Sequence, residues 1–597
     1  MMTVSERLRE LRRLMEAQGL SAYVVPSSDP HQSEYVAATW QRRGFISGFD
    51  GSAGTVAVTA DKAGLWTDSR YFLQAEQQLA GTGVELFRMA VPGVPEMEEW
   101  LCGELMDGDK VGGDPNVFSI AAFEASQSGL SKKGIVLQAV EDDLVEQVWG
   151  EDRPAMPTGA LRSHPQEYAG KSVDEKLSMV EAELARAGVD AHVLSALDEL
   201  AWTFNLRGAD VPFNPVFIGF AIIERARTLL FLDLNKAGRE VMSALPKKVE
   251  LRPYEAFDDA LVELGRRGAG VWVDPATTSW HSEATLKEAG AKVTRRTGPI
   301  PAWKSVKNDL EIGCARACHE RDGLAMAEFM AWLERAIVLG RESELTVGAK
   351  LEEFRSRHER FVGMSFGSIV GYGAHGAIVH YSASPESSVP VREGNLLLVD
   401  SGAQYLDGTT DITRTVALGE PTAEQKRAYT AVLKGHLLLG RTWFPEGTNG
   451  YQLDVLARQP LWAEGLNYGH GTGHGVGAAL CVHEGPFSVS LRRNMTPLAV
   501  GNILSNEPGF YKTDGFGIRI ENLVLVVEKE VTPSGRFLGF DDLTLCPYDL
   551  NLVDRSLLSP ADVRQINEYH ARVLSTLAPH LEPLARLWLE RACRPIE

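Results

Sequence analysis

Five side chains in the last third of the chain carry donors that bind hard or borderline metal ions. Each follows an apolar segment or lies in a glycine-rich turn, where the backbone fixes its direction. Like charges brought close together regain protons unless a cation neutralises them. Four carboxylates and one imidazole therefore predict a site for two divalent cations that share a water molecule, an arrangement typical of hydrolases. In chain order the five are Asp400, Asp411, His474, Glu507 and Glu521.

The first two donors belong to segments that can pair with each other. An apolar strand from Asn395 ends in Asp400, and Asp411 follows a turn around Asp407-Gly408. If the two segments form a hairpin, the carboxylates can meet across it. Taken alone, this fragment fits two turn-forming aspartates equally well.

A glycine-rich segment from Tyr468 to Gly477 contains two histidines four residues apart, His470 and His474. That spacing suits a metal pair on a helix, but each of the interleaved glycines disfavours a helix by about 1 kcal/mol. Glycine at this density predicts a backbone that passes close to another segment or adopts positive φ angles, with a flexible surface loop as the alternative. The nearby His483 favours a functional segment.

Two glutamates complete the donor set. The first, Glu507, precedes a proline, which keeps it extended. The second lies in a predicted strand over residues 517–527, whose period of two places Arg519 and Glu521 on one face. A simple ion pair between these two side chains is the alternative interpretation. Each fragment alone is weak, whereas the five donors in this order are informative.

Bulk composition limits the class of protein. The 597 residues are 44% hydrophobic and 23% charged, which predicts a soluble globular protein of two to four domains. The net charge of −20 disfavours nucleic-acid binding, because a phosphate backbone requires a basic surface. Six scattered cysteines suit a reducing compartment, and neither a signal peptide nor a membrane span is visible. We therefore expect a cytoplasmic protein with no nucleic-acid or membrane partner.

The first half of the chain contains a repeat. Residues 11–25 and 180–194 each read as a helix that ends at a glycine, Gly19 or Gly188, followed by a short buried strand. A hairpin of two apolar strands follows further along each copy. This pattern predicts two related α/β domains in tandem.

Two interruptions divide the chain into three predicted domains. Prolines and charges break the periodicity over residues 149–157 and again near 299–308. A long helix over 309–338 then begins a region of short strands, helices and glycine-rich turns, and residues 560–594 read as two further helices. The predicted domains are 1–155, 156–306 and 307–597.

At the five donors the sequence resembles the pita-bread metallopeptidases, whose ligands follow the order Asp, Asp, His, Glu, Glu. The resemblance to the aminopeptidase P family, in its three-domain cytosolic form, covers nearly the whole chain and includes the segments 48–55 and 66–71. It implies a fold of α/β and α+β type, with two tandem creatinase-like amino-terminal α/β domains followed by a pita-bread catalytic domain. The family also implies a homodimer that acts on peptide substrates.

The resemblance implies a reaction and roles for particular residues. The five donors would hold two cations, by resemblance manganese, and a hydroxide bridging them would attack the carbonyl that precedes proline in Xaa-Pro peptides. Glu507 would act as general base. The site histidines of the family match three residues here, of which His483 would hold the oxyanion and the other two would orient the peptide and the proline ring. These two are His380 and His470. In addition, Arg519 would fix Glu521 and Tyr511 would fix Glu507.

Two alternatives stay open. A prolidase, which cleaves dipeptides only, has the same ligands, so only the extra amino-terminal domain argues against it. A pita-bread binding protein without catalysis would be expected to lose ligands, and here all five remain. Trp462, shortly before the glycine-rich turn, fits either a hydrophobic wall of the site or the core, and the core is the favoured interpretation.

Overall fold

The computed structural model describes residues 2–597, and the chain forms two compact units. The amino-terminal unit consists of Met1–His164 and Lys171–Ile300. The other unit, named the catalytic unit below because it contains the five predicted metal donors, consists of Pro165–Gly170 and Pro301–Glu597. None of the helices within residues 2–597 combines the length and the apolar run that crossing a bilayer requires.

The first half of the amino-terminal unit is a six-stranded mixed sheet flanked by helices. Its strands are β1 (Ala22–Pro26), β2 (Thr55–Thr59), β3 (Ala63–Thr67), β4 (Glu85–Arg88), β5 (Lys110–Gly113) and β6 (Val136–Ala139). Its helices are α1 (Val4–Ala17), α2 (Arg42–Ser47), α3 (Phe72–Leu79), α4 (Met97–Glu104), α5 (Ile120–Ser131) and α6 (Leu144–Trp149). The order across the sheet is β4-β3-β2-β1-β5-β6.

The second half of this unit repeats the same arrangement. Its strands are β7 (Arg162–Ser163), β8 (Ala191–Leu194), β9 (Leu206–Arg207), β10 (Phe220–Glu224), β11 (Thr228–Leu232), β12 (Val249–Pro253), β13 (Gly270–Val273) and β14 (Lys292–Arg295). Helix α7 (Gln166–Ala169) belongs to the catalytic unit, and the other helices here are α8 (Val173–Ala187), α9 (Leu197–Thr203), α10 (Arg239–Ala244), α11 (Phe257–Arg266) and α12 (Trp280–Glu288). The sheet order, β12-β11-β10-β8-β13-β14, corresponds strand for strand to that of the first half.

Local sequence signals explain why the two copies fold alike. Helices α1 and α8 both begin at a capping box, formed by Thr3 with Glu6 and by Ser172 with Glu175. Both are followed by glycine in the left-handed region, with φ of 64° at Gly19 and 69° at Gly188. The apolar hairpins are β2–β3 and β10–β11, each antiparallel. The predicted tandem α/β repeat is therefore confirmed.

The catalytic unit packs long helices around antiparallel sheets. Its remaining helices are α13 (Ile300–Ser305), α14 (Asp309–Leu339), α15 (Glu344–Ser356), α16 (Ala423–Gly440), α17 (Gly450–Ala463), α18 (Pro560–Leu577) and α19 (Pro583–Ala592). Its strands are β15 (Phe361–Met364), β16 (Ile369–Tyr372), β17 (Asn395–Ser401), β18 (Ala403–Tyr405), β19 (Gly408–Thr409), β20 (Ile412–Leu418), β21 (Phe444–Pro445), β22 (Gly473–Gly475), β23 (Glu484–Val489), β24 (Ile503–Asn506), β25 (Gly509–Lys512), β26 (Phe516–Arg519), β27 (Asn522–Thr532) and β28 (Gly535–Asp542).

Two sheets of this unit carry the five donors. One is the three-stranded sheet β16-β17-β20, and the other is the six-stranded sheet β21-β28-β27-β24-β22-β23. The predicted long helix is α14, which has 31 residues, and the predicted tail helices are α18 and α19. Apolar side chains of α18, such as Ile566 and Val573, lie in one buried cluster with Tyr429 and Val432 of α16. The tail therefore forms part of the catalytic core.

Candidate metal centre and active site

The hairpin that carries the two aspartates forms as the sequence predicts. Strands β17 and β20 are antiparallel, and Asp400 lies opposite Thr413. Asp411 directly precedes β20, so it is displaced by two residues from the position facing Asp400. Both carboxylates are buried. A register this specific matters, because a slip of one residue would turn the Asp400 side chain to the opposite face.

The glycine-rich segment is needed for close passage of the backbone. A Cβ atom at Gly473 would lie 2.0 Å from the Ser505 carbonyl oxygen, and one at Gly475 would lie 2.2 Å from that of Glu484. The glycines from 469 to 477 have no positive φ angle, so the first of the two predicted explanations holds. Strand β22 is thereby inserted between β23 and β24, with His474 at its centre.

The predicted continuous strand over residues 517–527 is wrong, because the chain changes partners in its middle. Strand β26 ends at Arg519 and pairs with β25, whereas β27 begins at Asn522 and pairs with β24 and β28. Between them the Glu521 amide donates to the Thr413 carbonyl oxygen at 3.1 Å. Glu521 is therefore presented by a break between two strands, held against β20.

These elements gather the donors around His474. Its Nε2 lies 3.5 Å from Asp411 Oδ2 and 3.5 Å from Glu507 Oε1. Asp411, His474 and Glu521 offer donor atoms that all lie within 4.8 Å of one another. The hydroxyl of Thr413 donates to Glu521 Oε2 at 2.8 Å, which orients that carboxylate.

The cluster holds more negative charge than its surroundings neutralise. Asp400 Oδ1, Asp411 Oδ1 and Glu521 Oε1 are buried, and they have no hydrogen-bond partner anywhere in residues 2–597. Oxygen atoms of this kind, beside an imidazole, are the donors that divalent cations prefer. Because a buried unpaired carboxylate is strongly unfavourable, the residues present fit two divalent cations.

The pKa values of the donors follow from burial and mutual repulsion. Burial raises the pKa of Asp400 to about 6, and the Asp411 charge adds to this while Arg519 opposes it. Burial and then the neighbouring carboxylates raise the pKa of Glu521 well above its ordinary value. Burial alone would lower the pKa of His474, but the hydrogen bond to Asp411 and the Glu507 charge raise it to about 9. Asp400 and Glu521 therefore favour either a proton or a neighbouring cation over the bare ionised state.

Arg519 and Tyr511 contact different partners from those that the sequence predicts. Arg519 is paired with Asp400, its Nη2 lying 2.5 Å from Oδ2, and not with Glu521. Its Nη1 donates to the Tyr511 hydroxyl at 2.7 Å, and that hydroxyl lies 2.8 Å from His470 Nε2 and is not bonded to Glu507. The break after Arg519 removes the alternation that would have placed it beside Glu521. The result is a chain of contacts from Asp400 to His470.

The three other predicted histidines are linked to this cluster through different contacts. The ring of His483 lies 4.4 Å from that of His474, and the ring of His470 is held by Tyr511. His380 follows Val379, whose carbonyl oxygen accepts from Arg519 Nη2 at 3.3 Å. The chain beside His380 is thus tied to the same arginine that pairs with Asp400.

Two groups of supporting residues were missed in the sequence. In α17, Arg458 is paired with Asp454 and donates to the carbonyl oxygens of Tyr468 and His470 at 2.7 Å each, so it fixes the turn that carries His470. An Asp and an Arg four residues apart are a recognisable helix pair, which could have been found. The carbonyl oxygens that Arg458 contacts lie in the following turn, and they could not have been predicted from this spacing.

The second missed group lies beside His483. The next residue, Glu484, is buried and is paired with the ammonium groups of Lys304, at 2.8 Å, and Lys307. Both lysines are themselves buried. The sequence predicts a boundary near residues 299–308, and from Pro301 onward this segment is fixed within the catalytic unit.

Family models match most of the chain. Residues 7–145 and 152–311 match two models of the creatinase/prolidase N-terminal domain. Residues 313–528 match the model of metallopeptidase family M24, and residues 536–596 match the C-terminal region of that family. Together with the donor cluster, these matches define a pita-bread metallopeptidase with two creatinase-like domains before it.

Known proteins narrow this class. A probable Xaa-Pro aminopeptidase P of Aspergillus flavus is 44% identical over 99% of this chain and 93% of its own. The crystal structure of an X-prolyl aminopeptidase from Caenorhabditis elegans, described as a cytosolic enzyme with a di-nuclear active site, has 34% identity and a TM-score of 0.95 and covers 100% of both chains. The match to an Xaa-Pro dipeptidase from Bacillus anthracis has 25% identity and a TM-score of 0.52. It covers 99% of the dipeptidase but 64% of this chain. The chain belongs to the Xaa-Pro aminopeptidase P family.

Proposed function

We propose that the chain is a metal-dependent aminopeptidase that releases the first residue from peptides with proline in the second position. The observation that supports this most is the set of buried carboxylate oxygens without partners around His474, because it fits two cations inside a fold of the Xaa-Pro aminopeptidase P family. The full-length similarity to an X-prolyl aminopeptidase supports the same substrate class.

The metal ions follow from the donor chemistry. Four carboxylates and one imidazole suit a hard or borderline ion, and we propose manganese as the occupant. Asp400, Asp411, His474, Glu507 and Glu521 would hold two such ions, which activate water and polarise the scissile carbonyl when bound.

The residues of the chain would bind the peptide and move protons. Glu507 lies 3.5 Å from His474 and its pKa is raised, first by burial, so its carboxylate can take a proton from water and deliver it to the proline nitrogen of the product. His483, next to His474, would donate to the carbonyl oxygen as it gains charge. His470, oriented by Tyr511, would orient the peptide together with His380.

Three further features are part of the proposal. We propose a homodimer, since Tyr451, Val455 and Trp462 form an apolar stripe on α17 and are 45%, 42% and 45% exposed. Trp462 is therefore not the core residue that the sequence predicts.

The free state of all six cysteines and the cytosolic relative support a cytoplasmic location. The family matches over 7–145, 152–311 and 313–528 support three domains close to the predicted bounds of 1–155, 156–306 and 307–597. The ion pairs of Lys304 and Lys307 with Glu484 favour a second boundary a few residues earlier, before Pro301.

One assay tests the reaction and the cations together. The protein is incubated with an Arg-Pro-Pro peptide after removal of metal by a chelator, and then with manganese added back. We expect release of arginine alone, absent with chelator and restored by manganese. No release with any divalent metal, from a protein that remains folded, would overturn the proposed activity.

The same assay separates the proposal from a prolidase. Both activities need the same donors, but a dipeptidase acts only on two-residue substrates. We expect Arg-Pro-Pro to be cleaved faster than the dipeptide Arg-Pro. The reverse ranking would assign the chain to the dipeptidases.

A further inference from the structure

Another buried acid of the catalytic unit, Glu344, accepts several hydrogen bonds outside the donor cluster. Its side chain is fully buried at the start of α15. It accepts from the amides of Tyr372 at 2.9 Å and Val389 at 3.0 Å, from His375 Nδ1 at 2.9 Å, and from the Tyr381 hydroxyl at 2.8 Å. Both carboxylate oxygens act as acceptors for these four donors.

Three of the four donors belong to one excursion of the chain, and the fourth, Tyr372, is the last residue of the strand before it. The excursion leaves the sheet after β16 and returns before β17, so it spans residues 373–394 and contains His380. Glu344 fixes its beginning at Tyr372, its far end at Val389 and its middle at Tyr381. In addition, the Glu344 amide donates to the Val389 carbonyl oxygen at 3.2 Å. A single carboxylate therefore closes the whole excursion.

The other side of this excursion rests on the active site. A Cβ atom at Gly517 would lie 1.6 Å from the Gly376 carbonyl oxygen, so the two backbones are in direct contact just before Arg519. Arg519 in turn donates to the Val379 carbonyl oxygen at 3.3 Å. His380 is thus placed between a residue tied to Arg519 and a residue, Tyr381, tied to Glu344.

We propose that Glu344 is a positioning residue, which fixes His380 toward the substrate through the hydroxyl of Tyr381. The inference rests on the proposed function, because the direction of His380 matters only if a peptide binds beside it. Glu344 itself touches no substrate in this role. Its contribution is to restrict the excursion to one conformation, so that His380 is aligned before the peptide arrives.

The hydroxyl of Tyr381 orients this side chain through its hydrogen bond to Glu344, whereas the ring supplies the packing. Its ring is buried against Ile369 and Leu398, and these contacts persist when the hydroxyl is removed. Burial raises the pKa of the phenol and the Glu344 carboxylate raises it further, so the hydroxyl remains a donor at neutral pH. Tyr381→Phe is therefore the smallest change that disconnects Glu344 from the residue beside His380.

A double-mutant cycle tests this role with the full chain loaded with manganese. The variants are Tyr381→Phe, His380→Ala and the two combined, assayed with the Arg-Pro-Pro peptide. We expect Tyr381→Phe alone to lower kcat/KM about 3- to 10-fold, since it removes a hydrogen bond to a charged group. In the His380→Ala background the same change should cost less than about 2-fold, because its target is already gone. Glu344→Gln should lower kcat/KM by about 10- to 100-fold if it folds.

The control is a matched tyrosine in the other unit. Tyr23 donates to a buried carboxylate oxygen of Asp143 at 3.1 Å, and Tyr23→Phe should leave kcat/KM within about 2-fold. Bound metal should be the same in all variants. Additive losses in the double variant, loss of metal in Tyr381→Phe, or an unchanged kcat/KM in that variant would overturn the positioning role. A wild-type protein that cleaves no Xaa-Pro peptide would instead overturn the proposed function itself.

Discussion

The catalytic unit contains two kinds of buried acid, and their surroundings differ. Asp322 is paired with Arg355 at 2.9 and 3.1 Å and also accepts from the Tyr405 hydroxyl at 3.0 Å, so both of its oxygens have donors. By contrast, Asp411 and Glu521 each keep one buried oxygen without any partner in residues 2–597. Acids that stabilise the fold are satisfied by the chain itself, whereas acids of the donor cluster are left incomplete.

The same contrast holds for charge balance. Asp454 has its own arginine, Arg458, four residues away. In the donor cluster four carboxylates share one guanidinium, from Arg519, and one imidazole, from His474. Because buried charges need compensation, the excess identifies the place where cations bind, and it does so without reference to the spacing of the residues.

The largest expected effect comes from removing a donor of the cluster. Asp411→Ala and Glu507→Ala should each lower the rate of Xaa-Pro cleavage by at least about 1,000-fold, because cation binding and water activation depend on them. The metal-free variants should unfold at the same temperature as metal-free wild type or higher, since an unpaired buried charge has been removed. Wild-type rates in either variant would refute the site.

A satisfied acid should respond in the opposite way. Asp322→Ala leaves the buried Arg355 without its partner and should destabilise the catalytic unit by about 3–5 kcal/mol, seen as a lower midpoint in urea. The five donors are unchanged, so metal bound per folded chain should equal that of wild type. A variant as stable as wild type would remove the distinction between the two kinds of acid.

A smaller effect is expected at His470, whose ring nitrogen contacts the Tyr511 hydroxyl beside the cluster. His470→Ala should lower kcat by about 10- to 100-fold while bound metal is retained, because the side chain orients the peptide and holds no cation. Rates are compared with metal content measured on the same sample. Loss of metal in this variant would make His470 a ligand.

The smallest effect is a pH dependence confined to the metal-free protein. The pKa of Asp400 is raised to about 6 and that of His474 to about 9, so both groups bind protons more tightly in the folded state. The free energy of unfolding should therefore fall as pH rises from about 4 to about 9, by on the order of 1 kcal/mol per unit of pKa shift. With manganese bound, the slope should be weaker, as thermal unfolding at several pH values will show. Equal slopes would contradict the uncompensated charge.

Local signals in the sequence predict much of the fold. Capping boxes at Thr3 and Ser172 begin the repeated helices, Gly19 and Gly188 follow their ends, and apolar alternation gives the hairpins. The order of the five donors and their glycine-rich surroundings also predict the site. These features depend on residues a few positions apart.

Contacts between distant residues could not be predicted in this way. Strand β26 ends before Glu521, and the Glu521 amide donates to the carbonyl oxygen of Thr413, which lies 108 positions earlier in the chain. Arg519 likewise pairs with Asp400, since its partner is chosen by the fold and not by alternation. The contacts of Glu344 could not be predicted either, because a glutamate at the start of a helix is typical of an ordinary first turn.

The ion pairs of Glu484 limit how the molecule can be divided for separate expression. A fragment that begins at residue 307, the predicted start of the third domain, would lack Lys304 and would leave Glu484 with a single lysine beside His483. It would also lack Pro165–Gly170, whose Ala169 carbonyl oxygen accepts from Asn308 Nδ2 at 3.0 Å. The catalytic half is thus assembled from two separate stretches of chain, and no single cut releases it intact.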